Sequence, residues 1–155
     1  MMDRIAISVE NDPGYSERLH FMQTKADPTT ADALSEAAFD IASTVSAKAI
    51  ICFTLSGSTA RRVARERPSV PLLMLTPKLS TARQMGLTWG VHGVRTQDVD
   101  SFEEMVAKAK RMALRHGIAK AGDQLILMAG VPFGTPGSTN VLHVVRLTGE
   151  ELKGR

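Results

Sequence analysis

The chain is poor in the residues that usually announce a chemistry. It holds one cysteine, Cys52, so no disulfide can form within it, and a lone thiol inside an apolar run reads as a core residue in a reducing compartment. Its aromatic content is only 5%, with one tryptophan and one tyrosine. No apolar run approaches the roughly 18 residues of a membrane span. Asp3 and Arg4 interrupt the N-terminus, which has no signal-peptide layout. The expectation is a soluble, cytoplasmic protein. A net charge of +3, with acids and bases interspersed, gives no argument for nucleic acid or membrane as a partner. The four histidines, His20, His92, His116 and His143, have no metal-ligand spacing. No Ser/His/Asp or Cys/His set can be argued, and the acids are not clustered as Mg²⁺ ligands. The expectation is no catalytic residue and no metal site.

What is present is an ordinary globular composition, 43% hydrophobic and 23% charged over 155 residues, enough for one domain with a real core. Met1 to Val9 has a helical pattern with no N-cap, and Asn11-Asp12-Pro13-Gly14 breaks it. Tyr15 to Asp27 reads as a loosely packed linker. A helix follows from Thr29 or Thr30, either of which can cap it. Apolar strands are expected at Ala49–Thr54, Val70–Leu75, within Leu87–Val94, at Gln124–Met128 and at Asn140–Leu147. Helices are expected between them at Ser58–Arg67, Ser80–Met85 and Ser101–His116, the last as the longest, with Gly117 closing it. Glu103 and Glu104 suit its first turn. Continuous apolar strands alternating with helices predict an α/β fold, a three-layer α/β/α doubly wound sheet of about five strands. Four strands are expected to be parallel. The fifth follows a Gly/Pro-rich loop with no helix and is expected to be an antiparallel edge.

Two segments could hold a ligand. Thr54-Leu55-Ser56-Gly57-Ser58-Thr59 joins the first strand to a helix. Such a turn gathers hydroxyls, backbone N–H groups and a helix N-terminus, which suits a phosphate, and Gly57 permits close approach. Simple helix capping by Ser56 or Ser58 is the competing reading. The turn is neither a P-loop nor GxGxxG. The second segment is Gly130 to Thr139, with Gly134, Thr135 and Gly137. It meets the first only if strands one and four are neighbours at the switch point. As a plain connector it fits equally well. Arg61, Arg62, Arg65 and Arg67 crowd one helix, which reads as a solvated face beside Glu66. Arg61 is the one closest to the turn.

Together, AIICFTLSGSTARRVARERPSVPLLMLTP, STARQMGLTWGV and AGDQLILMAGVPFGTPGSTNVLHVV resemble the C-terminal domain of the pyruvate kinases, over residues 30 to 147. T-x-SG-x-TAR, T-x-RQ, GD and the glycine-rich loop closing on TN carry the likeness. It implies a division at residue 28, with the end of a barrel helix and a linker in 1–28 and the C-terminal-like domain in 29–155, so that the chain is a fragment. It implies a parent enzyme that transfers a phosphoryl group from phosphoenolpyruvate to ADP in glycolysis. Mg²⁺ and K⁺ belong to a catalytic barrel, and this part has no cofactor of its own. It implies a phosphorylated allosteric effector held by Thr54 to Thr59, with Leu55 offering its N–H, and self-association in a tetramer. Gly134, Thr135, Gly137 and Arg61 are the candidate second contacts. Family members that hold a bisphosphate place basic or aromatic residues near the start of the long helix and in the loop before the last strand. Here stand Glu104, Met105 and Val131 to Gly137 without an arginine, which favours a monophosphate such as a sugar phosphate or AMP over fructose 1,6-bisphosphate. A stand-alone phosphate-handling α/β enzyme and a purely structural oligomerisation module are the alternatives.

Overall fold

A computed structural model describes residues 2–15, 27–135 and 137–148. Most of the linker expected at 15–27, and the tail beyond 148, lie outside the described residues. The elements are α1 (Met2–Glu10), α2 (Thr30–Thr44), β1 (Ala49–Phe53), α3 (Ser58–Arg65), β2 (Leu72–Thr76), α4 (Leu79–Met85), β3 (Val91–Arg95), α5 (Phe102–Arg115), β4 (Gln124–Gly130) and β5 (Thr139–Arg146).

The five strands form one sheet in the order β3-β2-β1-β4-β5. β1 pairs in parallel with both β2 and β4, and β2 with β3. β5 is the antiparallel edge beside β4. Four parallel strands and one antiparallel edge strand are therefore as expected. The central strands β1, β2 and β4 are almost wholly apolar because they are covered twice. Ile50, Cys52, Leu72, Met74, Ile126 and Met128 meet the α2–α4 layer. Ile51, Leu73, Leu75, Leu125 and Leu127 meet α5, through Met105, Ala109, Met112 and Ala113. All six strand residues of the first group are fully shielded from solvent. At about 25 cal/mol per Å², such burial is the main favourable contribution to folding.

The boundaries have local causes. Thr29 caps α2, its hydroxyl accepting the Asp32 N–H at 3.2 Å. α3 stops at Arg65, two residues before the sequence reading, because Arg67 has φ +53 and Pro68 follows. α2, at 15 residues, outruns α5 at 14, so the 101–116 helix is not the longest. β3 passes so close to α4 that a Cβ on Gly93 would lie 2.8 Å from the Ala82 carbonyl oxygen. That is why a glycine stands inside a strand.

α1 has no buried residue. Its described contact with the sheet domain runs through Trp89, whose Nε1 donates to the Glu10 carboxylate at 2.9 Å. Arg67 covers the same indole at 4.6 Å.

Candidate functional site

With β1 beside β4, their carboxyl ends bring residues 54–59 and 130–139 to the two sides of one cleft, about 420 Å³ with its open mouth included. This is the switch point of the sheet, where open α/β folds place ligands. Thr54, Leu55 and Thr59 line it from the first side. Gly134, Thr135 and Gly137 line it from the second, together with Phe133 and Ser138. Phe53 and Ala129 form its floor, and Asp98 and Val99 enter from the segment between β3 and α5. No lysine or arginine is among the described residues of the wall.

The turn is built by side chains that hold its backbone. Thr54 Oγ1 accepts the Gly57 N–H at 3.0 Å. Gly57, not Ser56 or Ser58, is the N-cap of α3, at φ +83, and no side chain caps the helix. The capping reading of the two serines is therefore set aside. Their hydroxyls instead pair with each other at 3.1 Å, Ser56 Oγ donating, and Ser56 Oγ lies 3.4 Å from the Ser58 N–H. The helical ladder begins with Arg61 N–H to the Gly57 carbonyl, which leaves the N–H groups of Ser58, Thr59 and Ala60 without an intrahelical carbonyl. Gly57 itself is buried against α4, where an added Cβ would lie 2.8 Å from Met85 Sδ. α4 braces the turn a second time through Thr81, whose hydroxyl donates to the Leu55 carbonyl at 3.0 Å. That contact is the structural meaning of the threonine in T-x-RQ.

The second side is equally tied down. Asn140 closes the loop with both ends of its amide. Its Oδ1 accepts the Val131 N–H at 2.8 Å, and its Nδ2 donates to the Val131 carbonyl at 2.5 Å. Ser138 Oγ donates to the Thr135 carbonyl at 2.8 Å. Thr59 and Thr139 join the two sides through a buried hydroxyl pair at 2.6 Å. The wall carrying Asp98 is held by a buried lysine, as Lys108 Nζ donates to the Gln97 and Asp98 carbonyls at 2.8 and 2.9 Å and pairs with Glu104 at 3.2 Å.

The structure thus gathers Thr54, Leu55, Thr59, Gly134, Thr135 and Gly137 around the cleft. Ser56, Gly57 and Ser58 are not among its lining residues: the two serines pair with each other, and Gly57 faces α4. Arg61 points elsewhere, its guanidinium 3.8 Å from Met85 Sδ. The arginine row of α3 is not simply a solvated face. Arg65 pairs with the buried carboxylate of Asp32 at 2.8 Å and with Glu66 at 3.1 Å, while Arg62 approaches Asp32 at 3.5 Å. Asp32 is held below the ordinary carboxylate range, first by the Thr29 hydroxyl that donates to it at 2.5 Å, then by Arg65 and Arg62. Cys52 is buried and its thiol is pushed up to about 12, which leaves it inert as a nucleophile. Of the other cleft residues, Phe133, Ser138 and Thr139 fall within the second candidate segment without being singled out there, and Asp98 lies outside both segments. The closing TN of the loop motif was the available signal for Thr139. Asp98 carries none, because only the strand order brings it there.

Residues 32–145 match the family model for the pyruvate kinase alpha/beta domain. The chain is 41% identical over 152 residues to a pyruvate kinase of Methylorubrum extorquens, covering 98% of this chain and 32% of that protein. It is 40% identical over 146 residues to a pyruvate kinase of Agrobacterium vitis, with 94% and 31% covered. A pyruvate kinase of Clostridium acetobutylicum is 34% identical over 143 residues, with 92% and 30% covered. The chain spans about a third of the length of these curated relatives.

Proposed function

Because the chain belongs to the pyruvate kinase family, matching its alpha/beta domain, we propose that its cleft is a regulatory site for a phosphorylated metabolite. The observation that carries this reading is the cleft itself, at the carboxyl ends of β1 and β4, lined by threonine and serine residues beside the start of α3, where the Thr59 and Ala60 N–H groups have no intrahelical carbonyl. Hydroxyls and N–H groups at a helix start favour a phosphoryl group. The remaining wall selects among phosphates. Asp98 is among its lining residues and no described cation is, so a second phosphate would find no positive partner there. A monophosphate such as AMP or a sugar phosphate fits better than fructose 1,6-bisphosphate.

In this reading the chain senses and does no chemistry. Phosphoryl transfer from phosphoenolpyruvate to ADP is the work of a barrel elsewhere in a cytoplasmic enzyme. In the same reading the Mg²⁺ and K⁺ of that reaction belong to the barrel. Self-association belongs to the same proposal. Among the described residues the outer edge of β5 pairs with no other strand, a ready surface for a second copy.

Calorimetric titration with AMP, glucose 6-phosphate and fructose 1,6-bisphosphate tests the reading. A monophosphate is expected to bind, at least tenfold more weakly once Thr135→Leu fills the cleft. Asp98→Lys should raise affinity for the bisphosphate. Tight binding of the bisphosphate alone to the unaltered chain would reject the monophosphate choice, and binding of none would reject the effector site.

A further inference from the structure

His92 and His116 stand 24 residues apart, yet His92 Nε2 lies 3.3 Å from His116 Nδ1. Their ring planes are inclined at 65°, with centroids 5.0 Å apart. His92 comes from β3, the edge strand opposite β5, and His116 is the residue that ends α5. Both are exposed. The pair lies away from the cleft, and the regulatory reading leaves it unused.

From this geometry we propose that His92 and His116 form a two-histidine site for a divalent transition-metal ion of the zinc type. Zinc holds imidazole nitrogens at about 2.0–2.1 Å. Two nitrogens at that distance and 3.3 Å apart subtend an angle close to tetrahedral, so one ion can reach both once each ring turns its lone pair toward it. In the metal-free pair one ring donates and the other accepts. On binding, the donor ring moves that proton to its outer nitrogen, both inner lone pairs turn to the metal, and the neutral pair releases no net proton. The position also favours a cation. His116 is the C-cap of α5, at the negative end of the helix dipole. Arg115 beside it acts in the opposite sense, from an exposed position where solvent screens its charge.

No third His, Cys, Asp or Glu joins the pair among the described residues. Water therefore completes the coordination, and the site is an open clip rather than a closed structural centre. The clip joins the edge of the sheet to the end of α5 across a 24-residue span, and such a link stabilises the folded chain by mass action.

The test uses Zn²⁺ alone for calorimetry and thermal melting, and Co²⁺ alone for absorption spectra, on the full chain. One zinc per chain is expected, at micromolar affinity, with a rise of several degrees in Tm and a cobalt spectrum of low coordination number. His92→Gln and His116→Gln should each weaken binding at least tenfold and remove the Tm rise, whereas His143→Gln should do neither. Melting without metal checks that these surface variants are folded. Zinc binding that persists in the double variant would overturn the proposal. So would no binding below millimolar zinc, or one zinc shared between two chains.

Discussion

Of the buried Thr59 and Thr139 hydroxyls, 2.6 Å apart, one donates to the other. Thr59→Val keeps the shape of the side chain and removes one oxygen, leaving the Thr139 hydroxyl without that partner away from water. The expected cost is about 1–2 kcal/mol, read as a lower urea midpoint with an unchanged m value. Asp32 acts through charge instead. Its carboxyl is held low in the folded chain, so its contribution is fully present above the unfolded value near 3.9. It is lost as pH falls through the lower folded value. Asp32→Asn should therefore lower stability by roughly 1–2 kcal/mol at neutral pH, the arginine partners being partly exposed. The gap between variant and parent should close below about pH 4, which melting curves across an acid series would show.

The elements that sequence patterns describe best are those whose neighbours impose one demand on them. β1, β2 and β4 are flanked on both sides and both faces, and their apolar runs are unbroken. β3 is harder to delimit, because Gly90 at φ +69 ends the preceding turn while Gly93 makes room for α4, and both glycines look like breaks. The turn into α3 is the strongest local signal, yet its capping residue is Gly57, whose left-handed backbone and contact with Met85 are decided by α4. Gly57→Ala should cost about 1–3 kcal/mol. It should also loosen the turn, seen as faster hydrogen exchange at the start of α3, and weaken phosphate binding by more than any loss of stability explains.

At the scale of the whole molecule, strand order separates what local pattern conveys from what it does not. Thr54, Leu55, Thr135 and Gly137 follow strand ends, so their place beside the cleft is legible from the chain alone. Asp98 and the His92–His116 pair exist only because β3 lies two strands from β1 and α5 returns across the sheet. Arg61 illustrates the converse, near the turn in sequence but drawn to Met85 by the direction of α3. One more feature works at this scale. The chain's single tryptophan, Trp89, sits where α1 meets the sheet domain, bonded to Glu10 and covered by Arg67. Its fluorescence therefore comes from one address, and the protein carries a built-in optical gauge of whether its N-terminal helix is seated or released.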